Sequence, residues 1–202
     1  MTRVVFYGSS TVEGAGATQP SNRFSTIVCA TMGWREINLG IGGTTVVGRD
    51  EDGQLIRRDS GLGRVPDVID ANPDLAVILY GANDFGQSME LGSESERIWG
   101  TYYWDYDSML RGILGGVPAE KIVLSTCQYR ADANTPNEAE YILQDYNGVI
   151  KKLGAQYGVR VLDPYQNSTI DAHNFDKLSA DPGHLNDLGY EQLAAFFIEE
   201  LH

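Results

Sequence analysis

Five short runs of apolar residues recur along the chain, and most are rich in β-branched or aromatic side chains. The runs cover residues 4–7, 36–39, 75–79, 122–126 and 159–162. Apolar residues tend to follow one another in these runs instead of alternating with polar ones, which is typical of strands covered on both faces. The pattern therefore predicts five buried β-strands.

Segments with helical spacing lie between these runs. Apolar side chains recur every three or four residues within residues 24–32, 103–114, 142–157 and 193–201. A weaker pattern covers residues 61–71, where Pro66 fits only in the first turn of a helix. Strands that alternate with helices favour a parallel sheet with helices on both faces. We therefore expect an α/β fold, a three-layer α/β/α sandwich with a five-stranded parallel sheet.

Length and composition restrict the organisation and the partners of the protein. With 202 residues, 42% of them hydrophobic and 21% charged, the chain is predicted to form one domain over residues 1–202. Its net charge of −13, from 28 acidic and 15 basic residues, disfavours binding to nucleic acids and to anionic membranes. No apolar run approaches the roughly 20 residues that span a bilayer. The sequence leaves the oligomeric state open.

The start of the chain and its cysteines bear on the compartment. The first predicted strand begins at Val4, which leaves no room for a signal peptide. The expected location is therefore cytoplasmic, or extracellular if a leader has been removed. Cys29 and Cys127 lie far apart without CxxC spacing, and they are predicted to be small buried residues.

Four polar or glycine-rich segments lie at predicted strand ends or before the last helix. They are residues 8–14, 38–44, 81–84 and 181–186. Each one alone is typical of an ordinary turn. Ligands of parallel α/β sheets bind beyond the carboxyl ends of the strands, so we expect these segments to meet at one edge of the sheet.

Together the four segments contain the groups that acyl transfer requires. The reaction needs a nucleophile, a base, a carboxylate that orients the base, and donors for the oxyanion. Ser10 offers a hydroxyl, His184 an imidazole, and Asp181, three residues earlier, a carboxylate for that imidazole. Gly43 offers a backbone N–H and Asn83 a side-chain NH₂.

These four blocks, in this order, resemble those of the SGNH (GDSL-like) hydrolase superfamily. The resemblance covers residues 7–185 and implies a five-stranded parallel sheet of flavodoxin-like order. It implies Ser10 as the nucleophile, His184 as the general acid and base, and Asp181 as the residue that orients it. It also implies an oxyanion hole formed by the N–H of Ser10, the N–H of Gly43 and the side chain of Asn83.

One departure from the family pattern concerns the nucleophile. The family usually has Asp immediately before the serine, whereas this chain has Ser9. Ser10 is the preferred nucleophile because Gly8 and Gly14 then keep the family spacing G-x-S-x-x-x-G. Ser9 stays open as the alternative nucleophile.

Aromatic residues and two polar stretches are candidates for the substrate site. If the helix already includes Trp99, then Trp99, Tyr103 and Tyr106 share its core-facing side, and Trp104 points elsewhere. Trp104 is a candidate stacking surface for a sugar or an acyl chain, or else a cover for a neighbouring loop. Residues 85–98 and 129–140 are expected to form the rim of the pocket, with Tyr129 as a candidate substrate contact.

These observations favour a serine esterase that needs neither a metal nor a cofactor. It would hydrolyse small acyl esters, with O-acetyl groups, for example on a carbohydrate, as the leading substrates. A lysophospholipase or thioesterase of the same family, or a non-catalytic carbohydrate-binding module on the same scaffold, are the alternatives. His173 and His202 are expected to be exposed, and no His or Cys spacing indicates zinc. A flavodoxin-like phosphate binder is disfavoured because the first helix is expected to begin well after Gly14.

Overall fold

Five parallel β-strands form the centre of the computed structural model, which describes all residues from Met1 to His202. They are β1 (Arg3–Gly8), β2 (Arg35–Gly40), β3 (Leu75–Leu79), β4 (Ile122–Ser125) and β5 (Arg160–Leu162). Neighbouring strands are parallel, and their order across the sheet is β2-β1-β3-β4-β5. Each strand agrees with a predicted run to within one residue at each end. The predicted fold class and its flavodoxin-like order are confirmed.

Helices cover both faces of this sheet. They are α1 (Ser10–Glu13), α2 (Phe24–Met32), α3 (Val65–Asp70), α4 (Ala82–Gly86), α5 (Tyr102–Leu114), α6 (Leu143–Tyr157), α7 (Pro164–Asn167), α8 (Phe175–Leu178) and α9 (Asp187–Leu201). Val5 and Tyr7 of β1 pack in one apolar cluster with α5 and α6, whereas Val4 and Phe6 pack in another with α2 and α9. This division follows from the alternation of side chains along a strand. None of the helices combines the length and apolar character that crossing a membrane requires.

The longer helices occur where the apolar repeat predicts them, but the start of α5 differs. α3 places Pro66 in its first turn, as predicted. α5 begins at Tyr102, so Trp99 is not part of that helix. Gly100, with a φ of +74°, turns the chain between them, and the guanidinium of Arg49 lies 4.6 Å from the centre of the Trp99 ring. The prediction that Trp99 is a core residue of the helix is therefore wrong, whereas Tyr103 and Tyr106 are buried as predicted.

Two short helices follow strands almost directly, and the apolar repeat does not predict them. α1 begins at Ser10 and is followed by Gly14, whose φ of +93° lies in the left-handed region that favours glycine. α4 begins at Ala82, soon after β3. The expectation that the first helix begins well after Gly14 is therefore wrong, because a helix of four residues is too short to show a repeat. As a result, Ser10 lies at a helix N-terminus.

Candidate active site

The polar segments leave the sheet side by side. In the register of the sheet, Gly8 at the end of β1 lies opposite Gly40 of β2 and Leu79 of β3. The segments that contain Ser10, Gly43 and Asn83 begin at these three strand ends, whereas the segment of Asp181 and His184 precedes α9. A Cβ atom on Gly40 would lie 2.1 Å from the backbone nitrogen of Glu13 in α1, so only glycine lets the two segments pack this closely.

Three of the predicted site residues form a hydrogen-bonded line. The Oγ atom of Ser10 lies 3.0 Å from Nε2 of His184. Nδ1 of the same ring lies 2.8 and 3.0 Å from the two carboxylate oxygens of Asp181. Ser10 is 8% exposed, and the side chain of His184 is 33% exposed. An imidazole between a hydroxyl and a carboxylate can take the hydroxyl proton during nucleophilic attack.

Asp181 is held by the loop to which it belongs. Its Oδ1 atom accepts the backbone N–H of Gly183 at 2.8 Å and that of His184 at 2.9 Å. Partial burial acts to raise the pKa of Asp181, but the hydrogen bonds from the His184 ring and from these N–H groups lower it below its ordinary value. The carboxylate therefore stays ionised and can stabilise a protonated imidazole.

The two adjacent serines occupy different environments. Ser9 is the N-cap residue of α1, is 1% exposed, and its side chain does not cap the helix. The hydroxyl within hydrogen-bond distance of His184 belongs to Ser10. Of the two serines, Ser10 is therefore the one that faces the base.

The turn that contains Gly43 lies beside Ser10, and Asn83 is hydrogen-bonded to the residue after Gly43. Gly43 has a φ of +77°, and its N–H donates to no acceptor within the chain. A Cβ atom on Gly42 would lie 3.8 Å from Cβ of Ser10, so this turn faces the serine. Nδ2 of Asn83 donates to the carbonyl of Thr44 at 2.9 Å, which fixes the amide and leaves its second hydrogen free. The N–H of Ser10 begins α1 and has no partner within that helix, so three donors are available to an oxyanion.

Two buried carboxylates hold the segment of residues 46–49, which follows the Gly43 turn. Asp84 of α4 accepts the backbone N–H groups of Val46 and Val47 at 3.0 Å. Asp105 of α5 accepts those of the next two residues at 2.8 and 3.0 Å. Both carboxylates belong to residues without exposed surface. Four successive backbone donors are therefore fixed from beneath the candidate oxyanion hole.

Burial raises the pKa of both carboxyl groups. It raises that of Asp84 to about 6, although two backbone N–H groups favour the ionised form. It also raises the pKa of Asp105, although backbone N–H groups donate hydrogen bonds to this carboxylate that favour the ionised form. In the sequence, Asp84 has the position of an ordinary turn residue, and no motif contains Asp105. The available signal was the position of Asp105 between Tyr102 and Tyr106, on the buried face of α5.

Polar contacts continue from the candidate oxyanion hole to the rim of the site. Nε2 of Gln87 donates to the carbonyl of Gly43 at 3.1 Å. On the other side, Nη1 of Arg130 donates to the carbonyl of Ala82 at 2.9 Å. The N–H of Ala131 donates to the carbonyl of Pro182 at 3.1 Å. The loop that follows β4 is thereby attached both to the Asn83 turn and to the loop of the histidine.

A cavity of about 370 Å³, here called the rim cavity, lies between two of these loops. One wall consists of residues 85–88, and the other consists of Asp132 and residues 135–138. The two polar stretches that are predicted to form the rim therefore face each other. Neither Ser10, Asp181 nor His184 lines the cavity itself.

The two aromatic candidates for substrate binding, Trp104 and Tyr129, do not line the rim cavity. The indole Nε1 of Trp104 donates to the carbonyl of Glu96 at 2.6 Å, in a groove that contains no residue of the four blocks. Trp104 thus covers a neighbouring loop, and the structure does not bring it to Ser10. The Tyr129 ring is half-buried and packs 6.1 Å from that of Tyr165 and 5.5 Å from that of Phe175. No three His, Cys, Asp or Glu side chains are grouped as metal ligands.

Comparison with protein families establishes the relationship of this chain. The model of the GDSL-like lipase/acylhydrolase family matches residues 6–192. The chain belongs to the GDSL-like lipase/acylhydrolase family. The match includes all four blocks, and this GDSL-like protein is a carboxylic-ester hydrolase, as predicted. No curated protein matches the chain.

Solved structures of a lipase/acylhydrolase and of two esterases share the fold. The lipase/acylhydrolase from Enterococcus faecalis is 26% identical, with a TM-score of 0.72 over 100% of this chain and 95% of that chain. The acetyl xylan esterase AlAXEase is 21% identical, with a TM-score of 0.71 over 99% and 100%. The aryl esterase of M. smegmatis is 16% identical, with a TM-score of 0.71 over 100% and 98%. The fold of these proteins therefore extends over the whole chain.

Proposed function

We propose that this GDSL-like hydrolase cleaves esters through an acyl intermediate on Ser10. The observation that carries the proposal is the hydrogen-bonded line from Oγ of Ser10 through the ring of His184 to Asp181. Oγ attacks the carbonyl carbon of the ester while Nε2 of His184 takes the hydroxyl proton. Asp181 keeps Nδ1 protonated and stabilises the imidazolium that forms.

The oxyanion and the leaving group complete the proposed cycle. The N–H groups of Ser10 and Gly43 and Nδ2 of Asn83 donate to the negative charge that develops on the carbonyl oxygen. His184 then gives its proton to the alcohol oxygen as the C–O bond breaks. Water attacks the acyl group with His184 again as the base, which releases the carboxylic acid and restores the hydroxyl of Ser10.

The proposed substrates carry small acyl groups, with O-acetyl groups on a carbohydrate as the leading case. The rim cavity that borders the site is mostly polar, with Phe85 as its single hydrophobic lining residue, so it is not an apolar tunnel that could hold a long acyl chain. Each buried CH₂ contributes about 0.8 kcal/mol only where an apolar wall exists. One protein of the same fold is named an acetyl xylan esterase, which is consistent with this substrate class.

A fluorophosphonate probe tests the proposed nucleophile, because it reacts with activated serines. The wild-type protein should be labelled and should lose esterase activity. Ser10→Ala should escape labelling and lose activity by several orders of magnitude, whereas Ser9→Ala should keep a substantial fraction of both. A labelled Ser10→Ala beside an unlabelled Ser9→Ala would reverse the assignment. A wild-type protein that neither reacts nor hydrolyses 4-nitrophenyl acetate would refute the proposed function.

A series of 4-nitrophenyl esters from C2 to C12 tests the proposed acyl group. We expect kcat/KM to be far higher for acetyl and butyryl esters than for decanoyl and longer ones, because the cavity that borders the site is mostly polar. The activity should also persist in a chelator, since every proposed step uses side chains and backbone donors. A steady rise of kcat/KM with chain length would replace the acetyl esterase with a lipase or thioesterase.

A further inference from the structure

The rim cavity borders the groups that surround the proposed scissile ester. Gln87, in its first wall, donates to the carbonyl of Gly43 at 3.1 Å. Asp132, in its second wall, forms an ion pair with Arg130 at 2.5 Å. A Cβ atom on Gly183, the neighbour of His184, would lie 3.7 Å from the same guanidinium. The cavity is therefore joined to both sides of the site, at the oxyanion turn and at the histidine loop.

Hydrogen bonds between the two walls hold the rim cavity in shape. Nδ2 of Asn137 donates to the carbonyl of Phe85 at 2.9 Å, and the N–H of Glu138 donates to Oγ of Ser88 at 3.1 Å. Oδ1 of Asn137 also accepts two N–H groups of its own loop. A volume of about 370 Å³ lies within the range of roughly 300–1,000 Å³ that is typical of small-ligand sites. Such a preformed cavity lowers the entropic cost of binding.

The free polar groups of the rim cavity include one carboxylate, which accepts hydrogen bonds, and two hydroxyls, which can donate them. The carboxylate of Glu138 is exposed and has no ion-pair partner in the chain, and the hydroxyl of Thr135 is also exposed. Oγ of Ser88 already accepts a hydrogen bond, so its own hydrogen remains available. Phe85 is the one hydrophobic lining residue, and the guanidinium of Arg130 lies 5.4 Å from its ring centre. This lining suits a ligand that carries several hydroxyl groups, because a hydroxyl both donates and accepts.

We infer that the rim cavity binds the alcohol portion of the ester, and that this portion is an uncharged, polyhydroxylated group such as a sugar ring. The inference rests on the proposed esterase function. Arg130 neutralises Asp132, so Glu138 leaves the lining with a net negative charge, in a chain of net charge −13. Hydroxyl groups donate strong hydrogen bonds to such carboxylates, whereas phosphate and carboxylate groups are repelled.

Two acetyl esters that differ in charge test this inference. Mono-O-acetylated methyl glucoside and mono-O-acetylated methyl glucuronide share the ring and the acetyl group, and 4-nitrophenyl acetate gives the reference rate. The wild-type kcat/KM should be at least tenfold higher for the glucoside. Glu138→Gln should lower the ratio of kcat/KM for the glucoside to kcat/KM for 4-nitrophenyl acetate about tenfold. It should also reduce the difference in kcat/KM between the glucoside and the glucuronide. Thr135→Val should lower that ratio about threefold.

Glu120→Gln is the matched control, because it removes the same charge from an exposed glutamate in the turn before β4, at the opposite edge of the sheet. It should leave the ratio unchanged, and a ratio measured on one preparation is insensitive to partial unfolding. Equal ratios in Glu138→Gln, Thr135→Val and Glu120→Gln would overturn the inference. A wild-type preference for the glucuronide, or for acetylcholine, over the glucoside would also overturn it. Absence of 4-nitrophenyl acetate hydrolysis in the wild type would instead contradict the esterase function.

Discussion

The two halves of the proposed active site are held in opposite ways. The oxyanion half rests on Asp84, which has no exposed surface and binds backbone groups 37 and 38 residues away in the chain. The acid–base half lies on a surface loop, where the side chain of Asp181 is 51% exposed. Asp181 bonds only to residues within three positions of itself.

This difference follows from what each half has to do. Oxyanion donors are effective when they are fixed before the reaction, and buried carboxylates fix backbone N–H groups firmly. The raised pKa of Asp84 shows what this burial costs. A base exchanges protons with alcohol and water, which partial exposure permits. The oxyanion half should therefore be coupled mainly to the stability of the fold, whereas the acid–base half should be coupled mainly to the rate.

Replacing the exposed carboxylate should have the largest effect, and that effect should fall on catalysis. Asp181→Asn removes the charge that stabilises the His184 imidazolium, so kcat for 4-nitrophenyl acetate should fall by about 10³-fold or more. The melting temperature should change by no more than about 3 °C, because the side chain is half exposed. Asp176→Asn, at an exposed aspartate of α8, is the control and should match the wild type in both measurements. Nearly full activity in Asp181→Asn would show that Asp181 does not serve the base.

Replacing the buried carboxylate should lower the stability of the fold. Asp84→Ala leaves the N–H groups of Val46 and Val47 without their acceptor, at a cost of about 3 kcal/mol or more. For a chain of this size, the melting temperature should fall by roughly 6–12 °C. Thermal unfolding of Asp84→Ala and Asp181→Ala side by side measures the contrast. A similar melting temperature in both variants would contradict the distinction between the two halves.

The two halves should also differ in how their carboxyl groups make stability depend on pH. The contribution of Asp84 and that of Asp181 should change with pH in opposite directions. Because the pKa of Asp84 is about 6 in the folded protein and near 4 in an unfolded chain, folding takes up a proton between these values. The stability contributed by neutral Asp84 is full below about pH 4 and is lost as the pH rises through about 6. Carboxyls whose pKa is lowered, such as those of Asp181 and Asp187, contribute stability that is lost as the pH falls.

A comparison with Asp84→Asn isolates the contribution of Asp84. Between pH 7.5 and pH 4.5, the free energy of unfolding of the wild type should rise by on the order of 2 kcal/mol relative to that of Asp84→Asn. Urea titrations of both proteins at the two pH values measure this difference. Parallel pH profiles of the two proteins would show that Asp84 is not the titrating group.

The smallest effect is expected at the exposed edge of the oxyanion half. Gln87→Ala removes one hydrogen bond to the carbonyl of Gly43, and kcat/KM for 4-nitrophenyl acetate should fall about two- to fivefold with little change in melting temperature. Gln54→Ala, at another exposed glutamine, is the control. If the two variants are equally active, the buried carboxylates alone position this turn.

The sequence predicts the layers of the fold more fully than the turns of the site. The run of consecutive apolar residues predicts both boundaries of β3 correctly, because a strand that is buried on both faces is apolar along its length. A single helical turn such as α1 or α4 has no room for a repeat, so neither is predicted. Trp99 is misplaced for a related reason, since the turn at Gly100 interrupts the spacing.

The sequence predicts which residues form the site, whereas the residues that hold them in place are found only in the structure. The order of the blocks predicts that Ser10, Asp181 and His184 lie together, and they are within hydrogen-bond distance, while their catalytic roles stay a prediction. No local pattern relates Asp84 to residues 46–47, because the contact joins positions that are distant in the chain. The rim cavity likewise joins positions that are distant in the chain, because its two walls come from loops that follow different strands.

The four backbone donors of residues 46–49 limit which sequences this loop can accept. Loops ordinarily tolerate proline well, and proline is a common choice for stiffening them. Proline has no N–H, so at any of these four positions it would leave Asp84 or Asp105 with one hydrogen bond fewer in a site that water does not reach. In a library of variants, the segment should therefore reject proline as strongly as the interior of a helix does, although it is neither helix nor strand.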